Sequence, residues 1–85
     1  MYVSFTAKAF EEYQDWQTQD KKIAGKINKI INDIMRNPYQ GLGKPEALKH
    51  DLQGYWSRRI DDEHRLVYRV VNDEEIRITQ CRGHY

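Results

Sequence analysis

KPEALKHDLQGYWSRRIDDEHRLVYRVV, residues 44–71, decides how this chain folds. Arginines alternate with aromatic and aliphatic residues on both sides of DDEH, and a period of two is the mark of a half-buried strand. With residues 60–64 as the loop of a hairpin, Arg59 stands opposite Arg65, Ser57 opposite Val67 and Tyr55 opposite Arg69. One face then collects Trp56, Ile60, Leu66, Tyr68 and Val70, a core face interrupted only by Arg58. A loop over residues 61–64 would instead set Trp56, Arg58 and Ile60 beside Arg65, Val67 and Arg69, mixing large apolar groups with charge. The first register is therefore expected, with Arg59 and Arg65 as neighbours turned away from the core. A half-buried face this rich in arginine needs an anionic partner or another reason, and function is sought there.

Upstream, Gly41, Gly43, Pro45 and Gly54 punctuate residues 38–54, predicting a loop with at most one helical turn near residues 46–48. Strands are expected over 55–60, 64–71 and 75–82, with Asn72-Asp73 turning the second hairpin. At the other end residues 2–5 read as a short strand and Thr6 as the N-cap of a helix. In that helix Phe10, Tyr13 and Trp16 are expected to share the core face. Asp20 caps a second helix over 21–36, whose Ile23, Ile27, Ile30, Ile31 and Ile34 form an apolar stripe, and Asn37-Pro38 ends it. Gly25 costs ~1 kcal/mol relative to alanine inside a helix and is read as a close approach to the first helix.

Eighty-five residues make a single domain, 1–85, with a thin core, since a chain of this size buries roughly 60% of its unfolded surface. One cysteine, Cys81, excludes an internal disulfide; with no leader or long apolar run, a soluble cytoplasmic protein away from membranes is expected. The net charge of +1 conceals an acidic segment 1–20, carrying −3, and a basic segment 21–36, carrying +4. Near-neutrality thus leaves nucleic-acid binding open, because local patches set the field a polyanion meets. Lys22, Lys26 and Lys29 recur at i, i+4, i+7 on the second helix; they form either a solvated face or sequence-independent contacts to phosphates.

No HExxH, cysteine pair or histidine spacing suits a metal, and GLGKPE lacks the pattern of a phosphate loop, so neither metal nor cofactor is expected. Cys81, late in a strand, reads as a small buried hydrophobe rather than a nucleophile. What remains is a carboxylate in a Gly/Pro-framed loop, arginines on a sheet face, and His84-Tyr85 after Gly83. Cleavage of RNA through its own 2′-hydroxyl needs a base, cations for the charge gathering at phosphorus, and an acid for the 5′-oxygen. Glu46 suits the base, Arg65 with Arg59 or Lys49 the clamp, and His84 the acid. Each has a plainer reading: Glu46 paired with Lys44 or Lys49 is worth ~0–1 kcal/mol, His50 and His64 read as structural or solvent-exposed, Tyr85 as a plug on the sheet, and the arginines as edge protection.

Together KPEALKH, GYWSRRI, EHRLVYRV and a terminal HY closely resemble the YoeB/Txe toxins of the RelE superfamily, along essentially the whole chain. The resemblance implies an α+β fold with two N-terminal helices on one face of a mainly antiparallel sheet of four strands or slightly more. It implies a toxin–antitoxin system, ribosome-dependent endonuclease activity in the A site without a metal, and inhibition by a YefM-like antitoxin. By motif position Glu46 is the implied base, Arg65 the charge stabiliser and His84 the acid. Tyr85 would place the substrate, and Lys49 and Arg59 would contact phosphate. Gly83 stands where relatives often carry a bulkier residue and Ala47 where they often have a second proline, predicting a looser tail and Glu46 loop. A homodimer, and operator DNA bound only through the antitoxin complex, are further expected partners. The competing readings are an RNA- or ribosome-binding inhibitor without catalysis and a partner-binding co-repressor.

Overall fold

Five strands, β1 (Tyr2–Phe5), β2 (Glu46–Ala47), β3 (Tyr55–Arg59), β4 (Arg65–Asn72) and β5 (Glu75–Gln80), form one sheet in the computed structural model, which describes residues 1–84. The order is β1-β5-β4-β3-β2, with β1 parallel to β5 and every other pair antiparallel. Two helices, α1 (Ala7–Gln19) and α2 (Lys21–Arg36), pack their apolar stripes on one face of it. The fold is thus α+β, as expected.

The β3–β4 hairpin has the first register, pairing Arg59 with Arg65, Ser57 with Val67 and Tyr55 with Arg69. Ile60 N–H donates to His64 O at 3.0 Å and closes the loop. The expected helical turn at residues 46–48 is instead β2, and the short helical turn falls at His50–Leu52. The reason lies in the outer edge of β3: Arg59 N–H donates to Gly43 O and Leu48 N–H to Tyr55 O, so an extended chain satisfies groups that a helical turn would leave bare. The second turn is Asp73-Glu74, one residue later than expected, with Asn72 Oδ1 accepting the Glu74 N–H.

Thr6 caps α1 by accepting the Ala9 N–H, and Asp20 caps α2 by accepting those of Lys22 and Ile23. Phe10 departs from the expected stripe. The buried residues of α1 are Ala9, Glu12 and Trp16, whereas Phe10 is 46% exposed and its ring leans on Phe5 and Tyr13. At 3.6 residues per turn, Phe10 sits roughly 120° round the helix from Trp16, while Ala9 nearly eclipses it. Gly25 also departs from expectation: a Cβ there would meet nothing within 4 Å, so it makes no close approach to α1.

Arg58 interrupts the core face in sequence but completes it in space. It is fully buried; Nη1 donates to Asp33 Oδ2 (2.6 Å) and Leu42 O, Nη2 to Asn37 O (2.6 Å) and Gln40 O, and Nε to the Tyr68 hydroxyl. Tyr68 in turn donates to Pro38 O. One guanidinium therefore fastens residues 37–42 to the sheet with its donors satisfied. The glycines of GLG make this possible: a Cβ on Gly41 would lie 2.0 Å from Asp33 Oδ2, and one on Gly43 would lie 2.7 Å from Arg59 O.

Candidate active site

Side-chain alternation puts Trp56, Arg58, Leu66 and Tyr68 under the helices and Glu46, Ser57, Arg59, Arg65 and Val67 on the opposite face. Glu46 pairs with Ser57, one step along β3 from the Arg59–Arg65 pair on this face. Strand spacing sets the Glu46 Cα ~8 Å from that of Arg59 and ~12 Å from that of Arg65. Glu46 and Arg59 are exposed and Arg65 is half-buried. The face is not bare, because Ser57, Val67 and Leu48 are buried outside the main apolar cluster.

The other predicted cations divide. Lys49 follows Leu48, which is bonded to Tyr55, so it lies at the opposite end of β3 from Arg59 and does not join the Arg59–Arg65 pair. Lys22, Lys26 and Lys29 are exposed on α2 and, with Lys44 and Arg59, border a cleft of about 640 Å³. Ile30 and Leu42 supply apolar lining, and none of the lining residues is acidic. Arg59 thus lines this cleft as well as belonging to the arginine-bearing face by register. His50 is exposed, with a φ of +58°.

Beyond β5 the chain is held by side chains of α1 and of the hairpin loop. The Cys81 N–H donates to Glu12 Oε1 (2.9 Å), Trp16 Nε1–H donates to Cys81 O (2.9 Å), and Arg82 pairs with Asp15 at 2.8 Å. Gly83 N–H donates to His64 Nδ1 (2.8 Å), and Arg65 N–H donates to Gly83 O (3.0 Å). His84, exposed, is thus the residue after one hydrogen-bonded to Arg65. The expected looseness at Gly83 is not what the geometry gives, since both its backbone polar groups are engaged. Tyr85 lies outside the described residues. Glu46 and Gly83 flank the Arg59–Arg65 pair from opposite sides, three strand spacings across and two residues along, or ~16 Å apart in backbone.

Sequence reasoning missed Glu12, Asp15 and His64 as holders of this tail. Glu12 carried a readable signal: it falls between Ala9 and Trp16 at helical spacing, a carboxylate on a buried stripe. Cys81 is fully buried, as a small hydrophobe would be. Burial, with Glu12 nearby adding to it, pushes its thiol up to about 12. A thiol-alkylating reagent at neutral pH is expected to leave the folded protein unmodified and to label it fully in denaturant; rapid labelling of the native protein in a mass spectrum would contradict this. Among the described residues, no cluster of three His, Cys, Asp or Glu side chains suits a metal, and no helix is long and apolar enough to cross a membrane.

Two helices cover one face of a mixed five-stranded sheet, and arginines stand on the other. YafQ from Escherichia coli shares that fold at a TM-score of 0.77 and 15% identity. A family model described as "YoeB-like toxin of bacterial type II toxin-antitoxin system" matches residues 5–85. Toxin YoeB of Streptomyces coelicolor is 52% identical over the whole of both chains. The YoeB/ParE toxin from Agrobacterium tumefaciens, 46% identical, superposes with a TM-score of 0.97 over the whole of both. YoeB of Staphylococcus aureus, 49% identical over all of this chain and 98% of that one, superposes with TM-scores of 0.91 from a heterotetrameric YoeB-YefM complex and 0.92 from a dimer. The chain belongs to the YoeB family of type II toxins.

Proposed function

We propose that this toxin is a ribosome-dependent endoribonuclease that cuts mRNA in the A site by transesterification through the 2′-hydroxyl. The observation that carries this reading is the Arg59–Arg65 pair, flanked on the same sheet face by Glu46 and bonded through the Arg65 backbone to the residue preceding His84. Glu46 takes the proton of the 2′-hydroxyl, whose oxygen attacks the adjacent phosphorus. Arg65, with Arg59, neutralises the charge that gathers on the non-bridging oxygens. His84 gives its proton to the departing 5′-oxygen, leaving a 2′,3′-cyclic phosphate and a 5′-hydroxyl. Tyr85 stacks on or places the scissile nucleotide, and Lys49 contacts phosphate away from the reacting centre. No metal or cofactor is required by these steps, as the three side chains supply base, charge and acid.

Lys22, Lys26 and Lys29 hold the ribosomal RNA backbone along the cationic cleft, in the cytoplasm where ribosomes are. A YefM-like antitoxin covers the cations and inhibits the toxin. A homodimer and operator binding through the toxin–antitoxin complex complete the proposed partners.

The chemistry is tested by the ends of the cut: cyclic phosphate and 5′-hydroxyl are expected, and 5′-phosphate ends would overturn the mechanism. The cleft favours a second reading, inhibition by occupancy alone, which would leave no new mRNA ends. The lysines make their own prediction. Replacing all three by alanine is expected to weaken ribosome binding and to flatten its logarithmic salt dependence by ~0.7–0.9 for each phosphate no longer neutralised. An unchanged slope would remove them from the interface.

A further inference from the structure

We propose that His64 is a positioning residue for the catalytic tail: its neutral imidazole accepts the Gly83 N–H while the Arg65 N–H donates to Gly83 O, and together they set His84 beside Arg65. The inference rests on the nuclease reading for its consequence, though the hydrogen bond itself does not depend on it.

The loop holds His64 rigidly enough for this task. Its backbone N–H donates to Asp61 Oδ1 (2.7 Å), its carbonyl accepts from Ile60, and its ring meets the Trp16 indole edge-on at 4.9 Å. The side chain is only 12% exposed. Because Nδ1 is an acceptor, the ring proton belongs on Nε2, which faces Glu63 Oε2 at 3.7 Å. An acceptor at that position is what the tail needs, as Gly83 has a φ of +77° and its N–H turns toward the loop rather than along a strand. Residues 64 and 65 thus grip both polar groups of one peptide residue. Without His64, the last side-chain anchors on the tail among the described residues withdraw to residue 82, where Gln80 Nε2 donates to the Arg82 carbonyl and Arg82 pairs with Asp15, and a general acid displaced by about 1 Å can lose roughly 100-fold in rate.

Two substitutions separate positioning from mere stability. His64→Asn keeps an acceptor, Oδ1, near the place of Nδ1; His64→Leu keeps bulk and removes it. In purified toxin, hydrogen exchange at the Gly83 amide is expected to accelerate at least 10-fold in His64→Leu and to return within a few-fold of wild type in His64→Asn. Cutting on ribosomes is expected to follow the same order, with kcat down 10- to 100-fold in His64→Leu, KM little changed, and rescue in His64→Asn. His64→Ala provides the same readings should the leucine variant fold poorly. Unchanged Gly83 protection in both acceptor-free variants, faster exchange with unimpaired cutting, or failure of asparagine to rescue would each overturn the proposal. If wild type itself produces no new mRNA ends, the nuclease reading fails, and the amide measurement still decides whether His64 holds the tail.

Discussion

Arg58→Ala is expected to lower the melting temperature by more than ~10 °C, as a fully buried side chain is emptied and each buried acceptor left unpaired costs roughly 1–3 kcal/mol, with each kcal/mol worth about 4–8 °C in a domain this size. The loss includes more than a charge. Asp33, three carbonyls of the loop and the Tyr68 hydroxyl would all lose a donor, and residues 37–42 would come away from the sheet. Arg58→Met retains the apolar stem and should recover only part of this. The pair also leaves a signature in pH. The Leu42 N–H first, and then the Arg58 guanidinium, hold the Asp33 carboxyl below its ordinary value. Its contribution is therefore complete above about pH 4 and is lost as pH falls through the depressed folded-state value. Asp33→Asn should accordingly be less stable than wild type at neutral pH and converge with it in acid. A melting temperature for Arg58→Ala within a few degrees of wild type would refute this account of the loop.

Glu46→Ala and His84→Ala are expected to keep the fold and ribosome affinity while losing about 10²–10⁴-fold in cutting, the ordinary worth of a general base or acid. Both side chains are exposed, so their truncation leaves no cavity. Arg65→Lys should also be impaired, as a point charge does not reproduce a planar fork on two phosphate oxygens. Circular dichroism and ribosome sedimentation check fold and affinity, and primer extension checks cutting. Full cutting in both alanine variants would remove Glu46 and His84 from the mechanism.

Local chemistry was legible where one residue type had one physical use. Thr6 and Asp20 cap helices, the five isoleucines face inward on α2, and the β3–β4 register follows from alternation alone. Edge pairing was not legible. Residues 46–47 became a strand because β3 had backbone groups to satisfy, which no property of Glu46 or Ala47 announces. Phe10 misled because three-residue spacing drifts around a helix, and Gly25 because a glycine can mark nothing more than an open cleft. The candidate site divides in the same way. Parity placed Arg59 and Arg65 on one face and the motif alone tied Glu46, read as part of a loop, to them, while the tail's attachment depends on pairings far apart in sequence, 69 positions for Glu12 with Cys81 and 19 for His64 with Gly83. Such pairings have no periodicity to betray them.

The most direct test of the central claim maps mRNA 5′ ends on purified ribosomes programmed with a defined message, comparing wild type with His84→Ala at equal ribosome occupancy. New ends within the A-site codon, carrying 5′-hydroxyls, are predicted for wild type and should be reduced at least 100-fold in the variant. Translation arrest by wild type without new ends, or equal cutting by both proteins, would contradict the account.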